Sequence, residues 1–117
     1  MVDRLADLVT RLRQFTAERD WAQFHDPKNL AMAIASEAGE LLAEYRWVAN
    51  TDADAWSQES ANNDRVAMEA ADVGIALLLL CDRIGVDLPN AIGKKIELNA
   101  QNYPVSASRG RALRPNR

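Results

Sequence analysis

Apolar residues recur along this chain at helical spacing in separate stretches. Leu5, Leu8, Val9, Leu12 and Phe15 follow the helical period and predict an amphipathic helix over Asp3–Arg19. Asp20 to His25 reads as a connector. Asp26-Pro27 is a start signal, because Asp caps a first turn and Pro gives up a donor that the first turn does not use. A second helix then runs to about Val48. Asn50 to Asn63 is polar and reads as a loop with a short turn around Trp56. Asn63 or Asp64 caps a third helix that runs to about Ile84, and Gly85 fits the left-handed position just past its end. Pro89 opens a fourth helix that reaches Asn102 or Tyr103, and Pro104 closes it. No stretch alternates with a period of two, and no segment repeats. The class is all-α, most simply a four-helix bundle. Gly39, Gly74 and Gly93 fall inside helices, where each costs about 1 kcal/mol against Ala. Close approach of a neighbouring helix would account for them.

Composition narrows the picture. The 117 residues suit one domain with a small core. Cys81 is the only cysteine, which excludes an internal disulfide, suits a reducing cytoplasm and reads as a buried helical residue. The first residues lack the apolar run of a signal peptide. The longest apolar run, Val73 to Cys81, is far short of the roughly 20 residues that span a bilayer. Net charge is −3, but Val105 to Arg117 carries Arg109, Arg111, Arg114 and Arg117 and no acid. The rest of the chain has 10 basic residues against 17 acidic ones. Such a body disfavours a nucleic acid backbone, so no stable nucleic acid binding is expected.

The informative chemistry is acidic. Glu37 and Glu40 fall on the second helix, Glu69 and Asp72 on the third, and each pair is spaced to share a face. At 100° per residue, Leu30, Leu41 and Val48 lie within about 40° of Glu37, and Val73, Ala76 and Leu80 lie nearest Glu69. Glu37 and Glu69 therefore occupy apolar faces, where a solvated role fails and an unpaired carboxylate is expensive. Glu40 and Asp72 sit about 60° to the same side. Arg65 is the only basic residue within one turn of any of the four. Antiparallel packing of the two helices would gather the carboxylates into one cage that a cation satisfies. Oxygen-only ligands suit Mg²⁺, Mn²⁺ or Ca²⁺, and a cage of this kind fits hydrolysis of a phosphate ester or anhydride.

Other chemistries lack their residues. His25 is the only histidine and lies outside the acidic helices, so a di-iron site with its Glu-x-x-His motifs fails. There is no Walker-type loop and no Ser/His/Asp or Cys/His set. Lys95, Asn99 and Tyr103 form a polar stripe on the fourth helix that suits phosphate and sugar or base contacts, or simply a solvated face. Trp21 and Trp47 flank the second helix, where they can stack on a base or pack as core.

Glu37-Ala38-Gly39-Glu40-Leu41-Leu42 followed by Glu69-Ala70-Ala71-Asp72-Val73 resembles the signature of the MazG-like all-α nucleoside triphosphate pyrophosphohydrolases. Three blocks resemble the dCTP pyrophosphatase branch more narrowly: Arg19 to Leu30, Glu40 to Trp47, and Val86-Asp87-Leu88-Pro89 through Lys95, Asn99 and Tyr103-Pro104. The residues themselves divide into a four-helix domain over 1–104 and a basic tail over 105–117. The resemblance spans roughly residues 10 to 112, including Arg109-Gly110-Arg111, and implies assembly into a homodimer or a homotetramer built as a dimer of dimers. It implies Mg²⁺, with Mn²⁺ as the alternative, at Glu37, Glu40, Glu69 and Asp72, and cleavage of a (deoxy)nucleoside triphosphate to monophosphate and pyrophosphate. Glu40 is the expected base. Trp21, His25, Trp47, Lys95, Asn99 and Tyr103 are the expected substrate contacts. Leu12 and Ala76 depart from the dCTP-selective pattern, which carries a polar residue and an aromatic there, so dCTP and modified deoxynucleotides both stay open. The rival from another class is a non-catalytic nucleotide-binding or helical interaction module of the same fold, and the intact acidic set argues against it.

Overall fold

The computed structural model describes residues 3–112. Six α-helices follow one another: α1 Arg4–Glu18, α2 Pro27–Tyr45, α3 Ala53–Gln58, α4 Ser60–Ile84, α5 Leu88–Asn102 and α6 Val105–Ser108, with 3₁₀ turns at Ala22–Phe24 and Asn50–Asp52. No strand occurs among the described residues. The chain divides into two compact units, the first closing at Gly85 and the second opening at Val86.

Local chemistry sets the helix ends. The Asp3 carboxylate accepts from the Leu5 and Ala6 amides and starts α1. Asp26 accepts from Asn29 N at 3.0 Å and starts α2, with Pro27 in the first turn. Gly85, at φ 73°, closes α4 in the left-handed region. The connector after α1 turns sharply at Asp20, whose φ is 53°. The turn folds Trp21 back edge-on to Phe15, with ring centroids 5.7 Å apart.

In the first unit α2 lies along α4, the most extensive helix pairing among the described residues, and α1 packs on α4. Arg13 of α1 grips Asp82 of α4 with two donors, Nε to Oδ2 at 2.9 Å. Arg83 donates to the Ala22 carbonyl at 3.2 Å and ties the connector to α4. The apolar core is sparse: among the described residues Leu30, Ala76 and Cys81 are its buried members, and Thr16 and Asn62 are buried polar residues. Thr16 is satisfied by the Leu12 carbonyl at 2.7 Å. Large apolar side chains, among them Phe24, Met32, Leu42 and Met68, remain more than half exposed. In the second unit Asp87 caps α5 through Asn90 N at 3.1 Å.

Two expectations are corrected. Asn50 to Asn63 is not a loop, because it holds α3 and the first turn of α4, which begins at Ser60 and not at Asn63 or Asp64. The asparagines that suggest a loop are satisfied inside it: Asn62 Nδ2 donates to the Trp56 carbonyl at 3.0 Å and Asn63 Nδ2 to the Ser57 carbonyl at 3.2 Å. Tyr45, against Trp56 at 5.0 Å and hydrogen-bonded to Ser57 at 2.8 Å, pins α3 to the end of α2. Nor do the helical glycines mark close approach, since a Cβ at Gly39, Gly74 or Gly93 would meet nothing within 4 Å. In the stretch expected as a tail, Pro104 stops α5 and its carbonyl accepts from Ala107 N and Ser108 N to form α6. Arg114 and Arg117 lie outside the described residues.

Candidate active site

The seam between α2 and α4 carries three facing rungs of charge. Glu37 faces Asp72, Glu40 faces Glu69, and Glu44 faces Arg65. The first two rungs are acid against acid. Glu37, Glu40, Glu69 and Asp72 each offer an oxygen, and these oxygens all lie within 4.8 Å of one another. Glu37 and Glu69 are half-buried, whereas Glu40 and Asp72 are exposed. Oε2 of Glu37 and Oε2 of Glu69 are shielded from solvent and have no hydrogen-bond partner.

Such oxygens are costly, and the electrostatics record it. Burial, then the charge of Glu40, then those of Asp72 and Glu69 push the Glu37 carboxyl above the usual range. Burial, then Glu40, Asp72 and Glu44 push Glu69 up in the same way. Among the described residues no cation offsets either group. Two orphaned oxygens converging with two exposed ones form a group that can hold a hard metal ion.

A pocket of about 440 Å³ opens at the Glu37 and Asp72 end of the seam. This is within the usual size for a small-molecule site. Trp21, Phe24, Phe15 and Leu12 form apolar walls, Leu30 and Ala76 lie at its base, and His25 and Asn29 supply polar groups. Asn29 Nδ2 is held by the Phe24 carbonyl at 3.1 Å. Trp21 and His25 thus share one pocket with Glu37 and Asp72. Trp47 does not line it: that side chain is 86% exposed, with Arg46 over its ring. Lys95 and Asn99 are exposed on α5 and Tyr103 is half-buried at its end, all in the second unit.

Phe24, Asn29 and Ala33 line the pocket but escaped the sequence reading. Spacing could have found two of them, since steps of four back from Glu37 reach Ala33 and Asn29.

A model of the MazG-like family matches residues 32–112. The chain belongs to the MazG-like family. Among its relatives, dCTP pyrophosphatase 1 of Rattus norvegicus is 42% identical over 112 residues, covering 94% of this chain and 65% of that protein. The protein of the same name from Homo sapiens is 39% identical over 107 residues, covering 90% and 62%. This MazG-like chain therefore spans just under two thirds of the length of the curated relatives it matches. A pyrophosphatase from Archaeoglobus fulgidus shares its structure with a TM-score of 0.82 and 36% identity, over 89% of this chain and 95% of that one. No helix among the described residues is long and apolar enough to cross a membrane.

Proposed function

We propose that this MazG-like chain is a Mg²⁺-dependent nucleoside triphosphate pyrophosphohydrolase that yields a monophosphate and pyrophosphate. The observation that carries the reading is the pair of solvent-shielded, unpartnered oxygens on Glu37 and Glu69, converging with Glu40 and Asp72 beside an aromatic-walled pocket. Named relatives that are dCTP pyrophosphatases support the same reaction. All-oxygen donors fit Mg²⁺, with Mn²⁺ as the alternative. Bound there, the ion offsets charge on the phosphates and lowers the pKa of an attacking water.

The chain's own groups divide the remaining work. Trp21 and Phe24 offer faces on which a base can stack, and His25 and Asn29 offer polar contacts to its edge or to the sugar. This places the α-phosphate at the carboxylates. Glu40, exposed at the edge of the cluster, accepts a proton from water as its oxygen attacks the α-phosphorus. The bond from the α-phosphorus to the oxygen bridging to the β-phosphate breaks, and pyrophosphate leaves. Trp47, Lys95, Asn99 and Tyr103 are the remaining substrate contacts that the family resemblance implies. The small Ala76 leaves room for dCTP or a deoxynucleotide with a modified base, so the role is nucleotide pool control or house-cleaning in the cytoplasm.

The exposed apolar side chains favour a homodimer or homotetramer in which further copies complete the bundle. A groove of about 640 Å³ between α1 and α4, floored by Gly74, Ile75 and Leu78, is available to another copy. Residues 105–117 act as a basic extension of the domain. Pyrophosphate release from each dNTP, with and without Mg²⁺, tests the reading. Mg²⁺-dependent release, greatest with a cytosine or modified-base nucleotide, is expected. Folded, Mg²⁺-loaded protein that turns over no nucleotide would end it.

A further inference from the structure

The third rung of the α2–α4 seam differs in kind from the other two. Arg65 Nε donates to Glu44 Oε2 at 3.3 Å, and its terminal nitrogen donates to Asn62 Oδ1 at 2.7 Å. Asn62 is buried and fixed in turn by the Trp56 carbonyl and Glu59 Oε2. The guanidinium is therefore aimed by a rigid neighbour while its side chain stays about half exposed. Arg65 has five N–H donors, and these two contacts leave the others free.

Its ion pair is with Glu44, not with the carboxylates one turn away. The groups that set Glu69 are burial, Glu40, Asp72 and Glu44, all of which disfavour its ionised form. Glu44 holds the Arg65 charge at the third rung. A plain helix-to-helix clamp explains the ion pair, but it does not explain why the one cation beside four unpaired acids is anchored to a buried amide and kept off them.

The order of parts along the seam supplies a reason. The aromatic pocket opens at the Glu37/Asp72 rung. The carboxylates follow, and Arg65 stands one helical turn beyond Glu69, about 6 Å along the axis. A nucleotide with its base in the pocket and its α-phosphate at the carboxylates extends its outer phosphates toward the third rung.

We propose that Arg65 is the binding residue for the pyrophosphate end of the substrate, and that Glu44 is its resting partner in the empty site. Arg65 exchanges the Glu44 carboxylate for a phosphate oxygen when the triphosphate enters, and returns to Glu44 when pyrophosphate leaves. Arginine suits this exchange because its planar fork matches carboxylate and phosphate oxygens alike. The assignment rests on the pyrophosphohydrolase reading of the same site.

The two residues then have opposite effects on one ligand. Calorimetric titration of Mg²⁺-pyrophosphate into the full chain tests this without turnover. Arg65→Ala should weaken binding about tenfold or more, and Arg65→Lys should recover part of it. Glu44→Gln removes the competitor and should tighten binding about two- to fivefold. Circular dichroism confirms that each variant is folded. Arg65→Ala binding within twofold of the parent, or both substitutions shifting affinity in the same direction, would overturn the proposal and leave a structural clamp. The opposed pattern in the two variants, together with wild-type protein that releases no pyrophosphate from any nucleotide, would end the catalytic reading and keep Arg65 as a pyrophosphate ligand.

Discussion

Helix α4 carries two acids ten residues apart that meet opposite fates. Asp82 is gripped by Arg13 of α1 through two hydrogen bonds, which hold its carboxyl below the usual range. Asp72 belongs to a cluster in which burial and like charge push Glu37 and Glu69 above theirs. The first region uses charge to join two helices, and the second leaves it uncompensated on the same scaffold. A fold that can pair Asp82 so well could have paired Asp72. The unpaired state is therefore a property of that site, and it points to a positive ligand.

The sharpest way to break this contrast is at the cluster itself. Glu40→Gln should lower kcat by about 10²–10⁴-fold in a pyrophosphate-release assay while the protein stays folded. Retained turnover would remove Glu40 from the base role. Asp82→Asn should leave the rate near that of the parent and affect melting alone.

Ligand addition comes next. Mg²⁺ at about 100 times its Kd should add about 2.7 kcal/mol to stability, a rise of several degrees in melting temperature that EDTA reverses. The combined Glu37→Gln and Glu69→Gln variant should lose that rise, and by removing repulsion should melt no lower than the parent in metal-free buffer. A Mg²⁺ response unchanged in that variant would place the ion elsewhere.

Pocket size is a finer test. Ala76→Phe should cut kcat/KM about tenfold or more for a bulky or modified base while sparing the smallest one. Equal losses across bases would mean that Ala76 does not contact the base.

The smallest effect is in pH, where the two regions have opposite signs. The raised carboxyls of Glu37 and Glu69 bind protons more tightly when folded than unfolded. Their cost to the metal-free protein is complete above the raised values. It is relieved as pH falls through them toward the unfolded value of about 4.3. The lowered Asp82 carboxyl contributes stability that is present above its unfolded value of about 3.9 and is lost as pH falls through the folded one. Melting of metal-free protein should rise on mild acidification and then fall on stronger acidification, and Asp82→Asn should soften only the second limb.

Much of the fold was legible because capping chemistry is local. Asp3, Asp26-Pro27, Gly85 and Pro104 mark ends that the structure places within a residue or so of expectation, and the all-α class follows. The region from Asn50 to Asn63 was misread because asparagine favours loops on average. Here each amide meets a carbonyl that only the folded turn presents. The pairing of Glu37 with Asp72 and of Glu40 with Glu69 could be anticipated from spacing on two helices. Phe24 and the Glu44–Arg65 rung could not, since the first depends on the path of a connector and the second on which side chain Asn62 anchors. Trp47, expected as a substrate contact, stands in solvent in this chain and lies outside the pocket that Trp21 lines.

Leu30 and Ala76 belong both to the sparse core and to the lining of the pocket of about 440 Å³. A mutation that thickens the core at either position also remodels the chamber. Evolution toward heat tolerance and evolution toward a new ligand would therefore act on the same few atoms, and lineages adapting one trait would be expected to drift in the other.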